Sequence, residues 1–247
     1  MHPSPDDPST VHGTPTVACS SCNLRELCLP VGFTAVELAR LDHLVATRRA
    51  VRRGESLFRR GDAFQGVFAV RTGFFKTRST SVDGREQVTG FQMAGELLGF
   101  DGLSEAMHQC DAIALEDSQV CVIPYPRLEE LAREFTILQR QFHRVMGREI
   151  VRAQGVMLLL SSTRAQERLA AFLANLAQRL GARGFSASSF VLRMTRDEIG
   201  TYLGLSLETV SRCFSKLHEQ GVLDVQQRNI RILDPARLTK LVAGVTV

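Results

Sequence analysis

Residues 194–215 read MTRDEIGTYLGLSLETVSRCFS, and this stretch decides the fold. Thr195-Arg-Asp-Glu198 is a capping box that opens a short helix. Ile199, Leu203, Leu205, Val210 and Cys213 are spaced so that two helices bury apolar residues against each other. Gly200 is small where the helices come closest, and Gly204 falls at a turn that needs a left-handed residue. Ser206 is placed to cap the second helix and Gly221 to stop it. The pattern predicts a helix-turn-helix. The exposed face of its second helix carries Ser206, Glu208, Thr209, Ser211, Arg212 and Lys216. An arginine fork reads guanine O6 and N7, while a glutamate accepts from cytosine N4 and repels phosphate elsewhere. The plainer alternative is a helical hairpin with a solvated charged face. Residues 222–233, VLDVQQRNIRIL, read as two strands around a turn containing Arg228-Asn229, a wing that would touch phosphates.

Charge separates this region from the rest. Residues 161–247 carry 12 Lys+Arg against 7 Asp+Glu, net +5, whereas residues 1–160 carry 18 against 19, net −1. The chain of 247 residues has net charge +4, which excludes a uniformly basic nucleic-acid coat and leaves a near-neutral part joined to a binder of polyanions. Its length suits one or two domains. No run reaches the ~18 apolar residues of a membrane span. The first 17 residues are rich in Pro, Ser and Thr and contain Asp6 and Asp7 without an apolar core. They read as a disordered polar arm, not a secretory signal, and a cytoplasmic location is expected. No P-loop, Ser/His/Asp pattern or paired carboxylates stand out, so an enzyme is not expected.

Upstream, Thr34-Ala-Val-Glu37 is a second capping box, opening a short helix to about Leu44. From about 48 to 124, short apolar runs alternate with turn residues such as Arg53-Gly54, Thr72-Gly73 and Asp83-Gly84, which predicts an antiparallel sandwich, roll or barrel. Pro124 and Pro126 end that section. Helices then follow over about 127–135, 137–160 and 165–180. On the long one, Phe142, Met146, Ile150, Ala153, Met157 and Leu160 are spaced 4, 4, 3, 4 and 3, a stripe suited to a second copy of the chain. The competing reading packs that stripe against its own domain.

Cys19-Ser-Ser-Cys22-Asn-Leu-Arg-Glu-Leu-Cys28 places three thiols within ten residues. In a reducing compartment structural disulfides are rare, and clustered thiolates bind zinc or an iron–sulfur cluster. Both want a fourth ligand, for which Cys110, Cys121, His12 and His43 are candidates. The residues leave zinc and iron–sulfur near equal, with a redox disulfide as a third option.

The order of parts resembles the CRP/FNR superfamily of transcription regulators, and within it the FNR/ANR-type oxygen-responsive iron–sulfur subgroup. The resemblance spans roughly 18 to 243 and rests on the cysteine spacing, GFQMAGELLGFD (90–101), MLLLSSTRAQERLAAFLANL (157–176) and MTRDEIGTYLGLSLETVSR (194–212). It implies an α+β chain: a disordered arm (1–17), a cluster-binding segment (18–33), a cyclic-nucleotide-binding-like β-roll of jelly-roll type (34–135), a dimerisation helix (136–160) and a winged helix-turn-helix domain (161–247). It implies a 4Fe–4S cluster on Cys19, Cys22, Cys28 and Cys121, reducing zinc to an alternative, and gives Cys110 no role. It implies Glu208, Ser211 and Arg212 as readers of a double-stranded palindrome with TTGAT-like half-sites, bound by a homodimer. Asp83-Gly84-Arg85 resembles a surface that touches RNA polymerase.

In cyclic-nucleotide relatives a Gly-Glu segment and a later Arg-Ser pair hold the nucleotide. Here Gly95-Glu96 remains, but the later pair falls near Gln109-Cys110 and no arginine lies between Arg85 and Arg127. No cyclic AMP is therefore expected, and Glu96 reads as a structural remnant. The implied mechanism is an oxygen-labile cluster that promotes dimerisation and DNA binding. The alternative is a CRP-like regulator of another ligand or redox state, with a zinc or disulfide arm. Ala153 stands where the subgroup often has an acid; either the seam pairs more firmly, or Arg148, Glu149 and Arg152 restore the balance.

Overall fold

The computed structural model describes residues 34–42, 45, 47–162 and 164–242. Cys19, Cys22, Cys28, His12, His43 and the arm 1–17 lie outside the described residues. Helix α1 (Ala35–Asp42) starts at the expected capping box, with Glu37 accepting from the Thr34 amide at 2.7 Å and its own amide bonding Thr34 Oγ1 at 3.3 Å. The expected end near Leu44 falls outside the described residues.

The glycine-punctuated section forms a two-sheet roll. Strands are β1 (Thr47–Val51), β2 (Ser56–Phe58), β3 (Gly66–Thr72), β4 (Phe74–Thr80), β5 (Glu86–Met93), β6 (Leu97–Leu98), β7 (Asp111–Ala114) and β8 (Ser118–Pro124). One sheet runs β1-β8-β3-β6 and the other β2-β7-β4-β5, with antiparallel pairings throughout. Alternate residues point inward, except that a register shift between Ser56 and Phe58 brings both Leu57 and Phe58 in, so Val51, Leu57, Phe58, Val70, Phe75, Leu98, Ala112, Ala114 and Val120 close one core between the sheets. A register shift between Val70 and Thr72 leaves Arg71 as the extra residue of a bulge.

Helix α2 spans Tyr125–Glu134, starting two residues and ending one residue before the sequence suggested. Pro126 does not end a segment: it sits in the first turn, where a missing amide hydrogen costs nothing. Helix α3 (Thr136–Ser162) runs 27 residues, and α4 (Ala165–Gly181) follows it. The helix-turn-helix is α5 (Arg196–Leu203) and α6 (Leu207–Glu219). Two elements were not read from the sequence: β9 (Ser189–Val191) and α7 (Pro235–Val242). Strand β9 pairs with β11 (Asn229–Ile232), which pairs with β10 (Leu223–Gln226), making a three-stranded sheet. The wing turn is Gln227-Arg228, and Asn229 belongs to the strand, one position off the expected turn. None of the described helices is long and apolar enough to cross a membrane.

Candidate nucleic-acid interface and the sensor joint

The helix-turn-helix is assembled as its spacing requires. Thr195 Oγ1 accepts from the Glu198 amide at 3.1 Å while Glu198 Oε2 accepts from the Thr195 amide at 2.6 Å. Gly204 adopts φ +62°, the left-handed turn. A Cβ on Gly200 would lie 2.6 Å from the Leu205 carbonyl oxygen, so the close approach of the helices is real. Ile199, Leu203, Val210, Cys213 and Leu217 are buried in the core shared with α4. Cys213 is therefore a core residue.

Ser206 caps α6 by accepting from the Thr209 amide at 3.2 Å. Beyond it, Ser206, Glu208, Arg212 and Lys216 are exposed, while Thr209 and Ser211 are half-buried. The Arg212 guanidinium donates to Thr209 Oγ1 at 3.2 Å, which fixes its direction one turn back along the helix. Hydrogen bonds from its own amide and from Ser206 hold the Glu208 carboxyl below its ordinary range, so it is an acceptor at neutral pH. The wing is tied to the start of α5: Leu192 donates to the Arg228 carbonyl at 2.8 Å and Arg196 to the Gln227 carbonyl at 3.2 Å. Arg196 also lies 3.4 Å from the Phe214 ring centroid, bracing α5 on α6. Arg228 at the wing tip is exposed.

The long helix presents part of the expected stripe to solvent. Ile150, Ala153 and Met157 are exposed, while Phe142, Met146 and Leu160 are half-buried. Phe142 packs on Phe100 at 5.8 Å between ring centroids. Sequence reasoning missed Val151 and Leu158, which are 64% and 50% exposed and widen the apolar face. The signal for them was that each directly follows a stripe residue, Ile150 or Met157, two helical turns apart. Arg152 does not border this face. It donates to the Phe91 carbonyl, bonds Glu149 at 3.4 Å and approaches Glu96 at 3.8 Å.

Among the described cysteines, Cys110 and Cys213 lie in core clusters. Burial and the neighbouring Asp101 push the Cys110 thiol far up, so it is a poor thiolate. Cys121 differs. It is half-buried on β8, opposite Arg48 and Ala69, and its neighbours Val120 and Ser118 are the ones that face the core. A thiol there meets the chemical requirement for a ligand reached from outside the roll. Asp83, Gly84 and Arg85 form the exposed β4–β5 turn, with Gly84 at φ +81° and Arg85 bonded to Asp83 at 2.7 Å.

The structure corrects the reading of Glu96 as a remnant. Its carboxylate, 13% exposed, bonds Arg179 of α4 at 2.6 Å and Arg183, in the turn just after α4, at 2.7 Å. Burial pushes its pKa up, but Arg179, Arg152 and Arg183 outweigh that and hold it below the ordinary value. Arg179 and Arg183 also donate to the Phe91 and Ala94 carbonyls. Lys76 to Glu198 at 2.7 Å and Gln87 to the Thr201 carbonyl add to the same joint. Sequence spacing carried no signal for this: the partners are more than 80 residues apart.

A roll joined through a long helix to a winged helix-turn-helix defines a DNA-binding regulator. Residues 48–135 match the cyclic nucleotide-binding domain and residues 167–241 the Crp-like helix-turn-helix domain. The chain belongs to the Crp/FNR family of transcription regulators, which are not enzymes. It is 46% identical to the transcriptional regulatory protein btr of Bordetella pertussis, over 91% of this chain and 93% of that one. It is 45% identical to the transcriptional activator protein anr of Pseudomonas aeruginosa, over 95% and 96%. It is 41% identical to the fumarate and nitrate reduction regulatory protein of Vibrio cholerae, over 93% and 92%. Among solved structures, FixK2 from Bradyrhizobium japonicum is similar at TM-score 0.75 and 34% identity, covering 81% of this chain and 98% of that one.

Proposed function

We propose that this chain is an oxygen-responsive transcription regulator acting in the cytoplasm, with Cys19, Cys22, Cys28 and Cys121 holding a 4Fe–4S cluster. The observation that carries the reading is the placement of Cys121, outside the core, in a chain similar to relatives named as anaerobic regulators. Bound there, the cluster would supply an oxygen-reactive redox centre. The three arm thiolates would draw the N-terminal segment onto β8. The apolar face of α3, from Ile150 and Val151 to Met157 and Leu158, would pair with a second copy.

Two copies would then set two α6 helices on a palindrome with TTGAT-like half-sites. Arg212, Glu208 and Ser211 would read base edges, Thr209 would orient Arg212, and Ser206, Lys216 and Arg228 would meet the backbone. The Asp83–Arg85 turn would be the contact to RNA polymerase. We assign no cyclic nucleotide to the roll: Glu96 is already committed to Arg179 and Arg183, and Gln109 and Cys110 donate their amides to Asp101.

The test is anaerobic purification followed by absorbance spectroscopy, iron and sulfide analysis and DNA binding. A brown protein that bleaches in air and then loses its affinity for the palindrome is expected. A colourless protein with bound zinc overturns the cluster reading.

A further inference from the structure

A cavity of about 520 Å³ lies between the β3–β4 hairpin of the roll and the segment joining α4 to β9. Its size is that of a small-molecule site, about 300–1,000 Å³ in general. One wall carries Phe74 from the roll, and the other carries Phe185 and Phe190. Three arginines line it. Arg183 is committed to Glu96 at 2.7 Å, and Arg193 to Glu116 at 3.1 Å. Arg71 is different: its Nη1 is buried with no hydrogen-bond partner among the described residues. Arg71 is also the extra residue of the β3 bulge, a device that re-aims a side chain away from the ladder. An uncompensated guanidinium with one nitrogen withdrawn from water is costly, and an anion in the cavity offsets that cost through its charge.

We propose that this cavity is an effector site for a small organic anion, with an oxyanion head (carboxylate or phosphate) on Arg71 and a flat apolar body against Phe74, Phe185 and Phe190. The site is separate from the cysteines and goes beyond the cluster reading. Its walls come from both the roll and the DNA-binding part, so a bound anion bridges the two. Occupancy therefore biases how firmly the reading head is held.

The test uses the full-length protein, titrated calorimetrically with benzoate and with phenyl phosphate; the better of the two identifies the head group. Inorganic phosphate and benzyl alcohol serve as the head alone and the ring alone. Saturable binding of at least one aromatic anion is expected, about tenfold or more tighter than either fragment. Arg71→Gln should weaken it by about tenfold or more, Arg71→Lys by less, and the exposed Phe185→Ala by a few-fold. Cys121→Ser should leave probe affinity unchanged, so failure of the cluster reading stays distinguishable from failure here. A saturating probe should shift affinity for the DNA palindrome, and Arg71→Gln should erase the shift. No saturable binding, or equal affinity in folded Arg71→Gln, overturns the site. Binding with no change in DNA affinity overturns its effector role.

Discussion

Replacing Glu96 with glutamine tests whether the roll and the DNA-binding part are held by one buried carboxylate. The substitution keeps shape and removes charge. It leaves Arg179 and Arg183, 16% and 7% exposed, facing each other without the anion that both bond. Breaking a buried ion pair from one side costs about 3–5 kcal/mol. Glutamine retains an acceptor oxygen, so we expect the lower end, about 3 kcal/mol, or somewhat over a hundredfold in the equilibrium between the docked and opened joint. The readout is amide hydrogen exchange in β5 and the last turns of α4, corrected for intrinsic rates, because opening the joint need not follow global unfolding. The pH dependence has a definite sign. Glu96 has a folded-state pKa below its ordinary 4.5, so its contribution is full above that value and fades as pH falls through the lowered one. Wild-type protection should drop there, and the Glu96→Gln profile should be flat. Protection unchanged in the variant at neutral pH would refute the reasoning.

Other expectations concern the reader, the seam and the thiols. Arg212→Ala should cost about 1–3 kcal/mol at a specific palindrome and relax base choice at one position, measured by binding to a set of single-base variants. Uniform loss across all sequences would instead mark Arg212 as a phosphate contact. Gly200→Val should unfold the helix-turn-helix, since even a Cβ sits 2.6 Å from the Leu205 carbonyl; a normal circular-dichroism melt would contradict this. Ile150→Glu should shift anaerobic protein to monomer in analytical ultracentrifugation while leaving the roll folded. Cys121→Ser should remove the anaerobic chromophore and Cys110→Ala should keep it, read by absorbance between purified variants.

The helix-turn-helix was legible because its constraints are local. A capping box, a left-handed glycine and apolar residues at helical spacing fix Thr195–Gln220 whatever surrounds them. The roll was legible for the same reason, through glycine turns at regular intervals. Strand β9 was not: Ser189–Val191 is three residues long and becomes a strand only because β11 supplies its partners. The apolar face of α3 was half read, since its period is in the sequence, but which residues its own roll covers is not. Phe142 is taken by Phe100, and Val151 and Leu158 stay exposed.

By itself the sequence determined the order of parts, the second helix of the helix-turn-helix with Glu208, Ser211 and Arg212 on it, and the cysteines that stand apart from the rest. Those follow from spacing along one chain. The tertiary structure alone decided the role of Glu96, the outward placement of Cys121 and the cavity around Arg71. Each depends on which distant residues fold against it. Burial and electrostatic pairing are properties of that neighbourhood, and a carboxylate becomes a clamp only where the fold brings arginines to it.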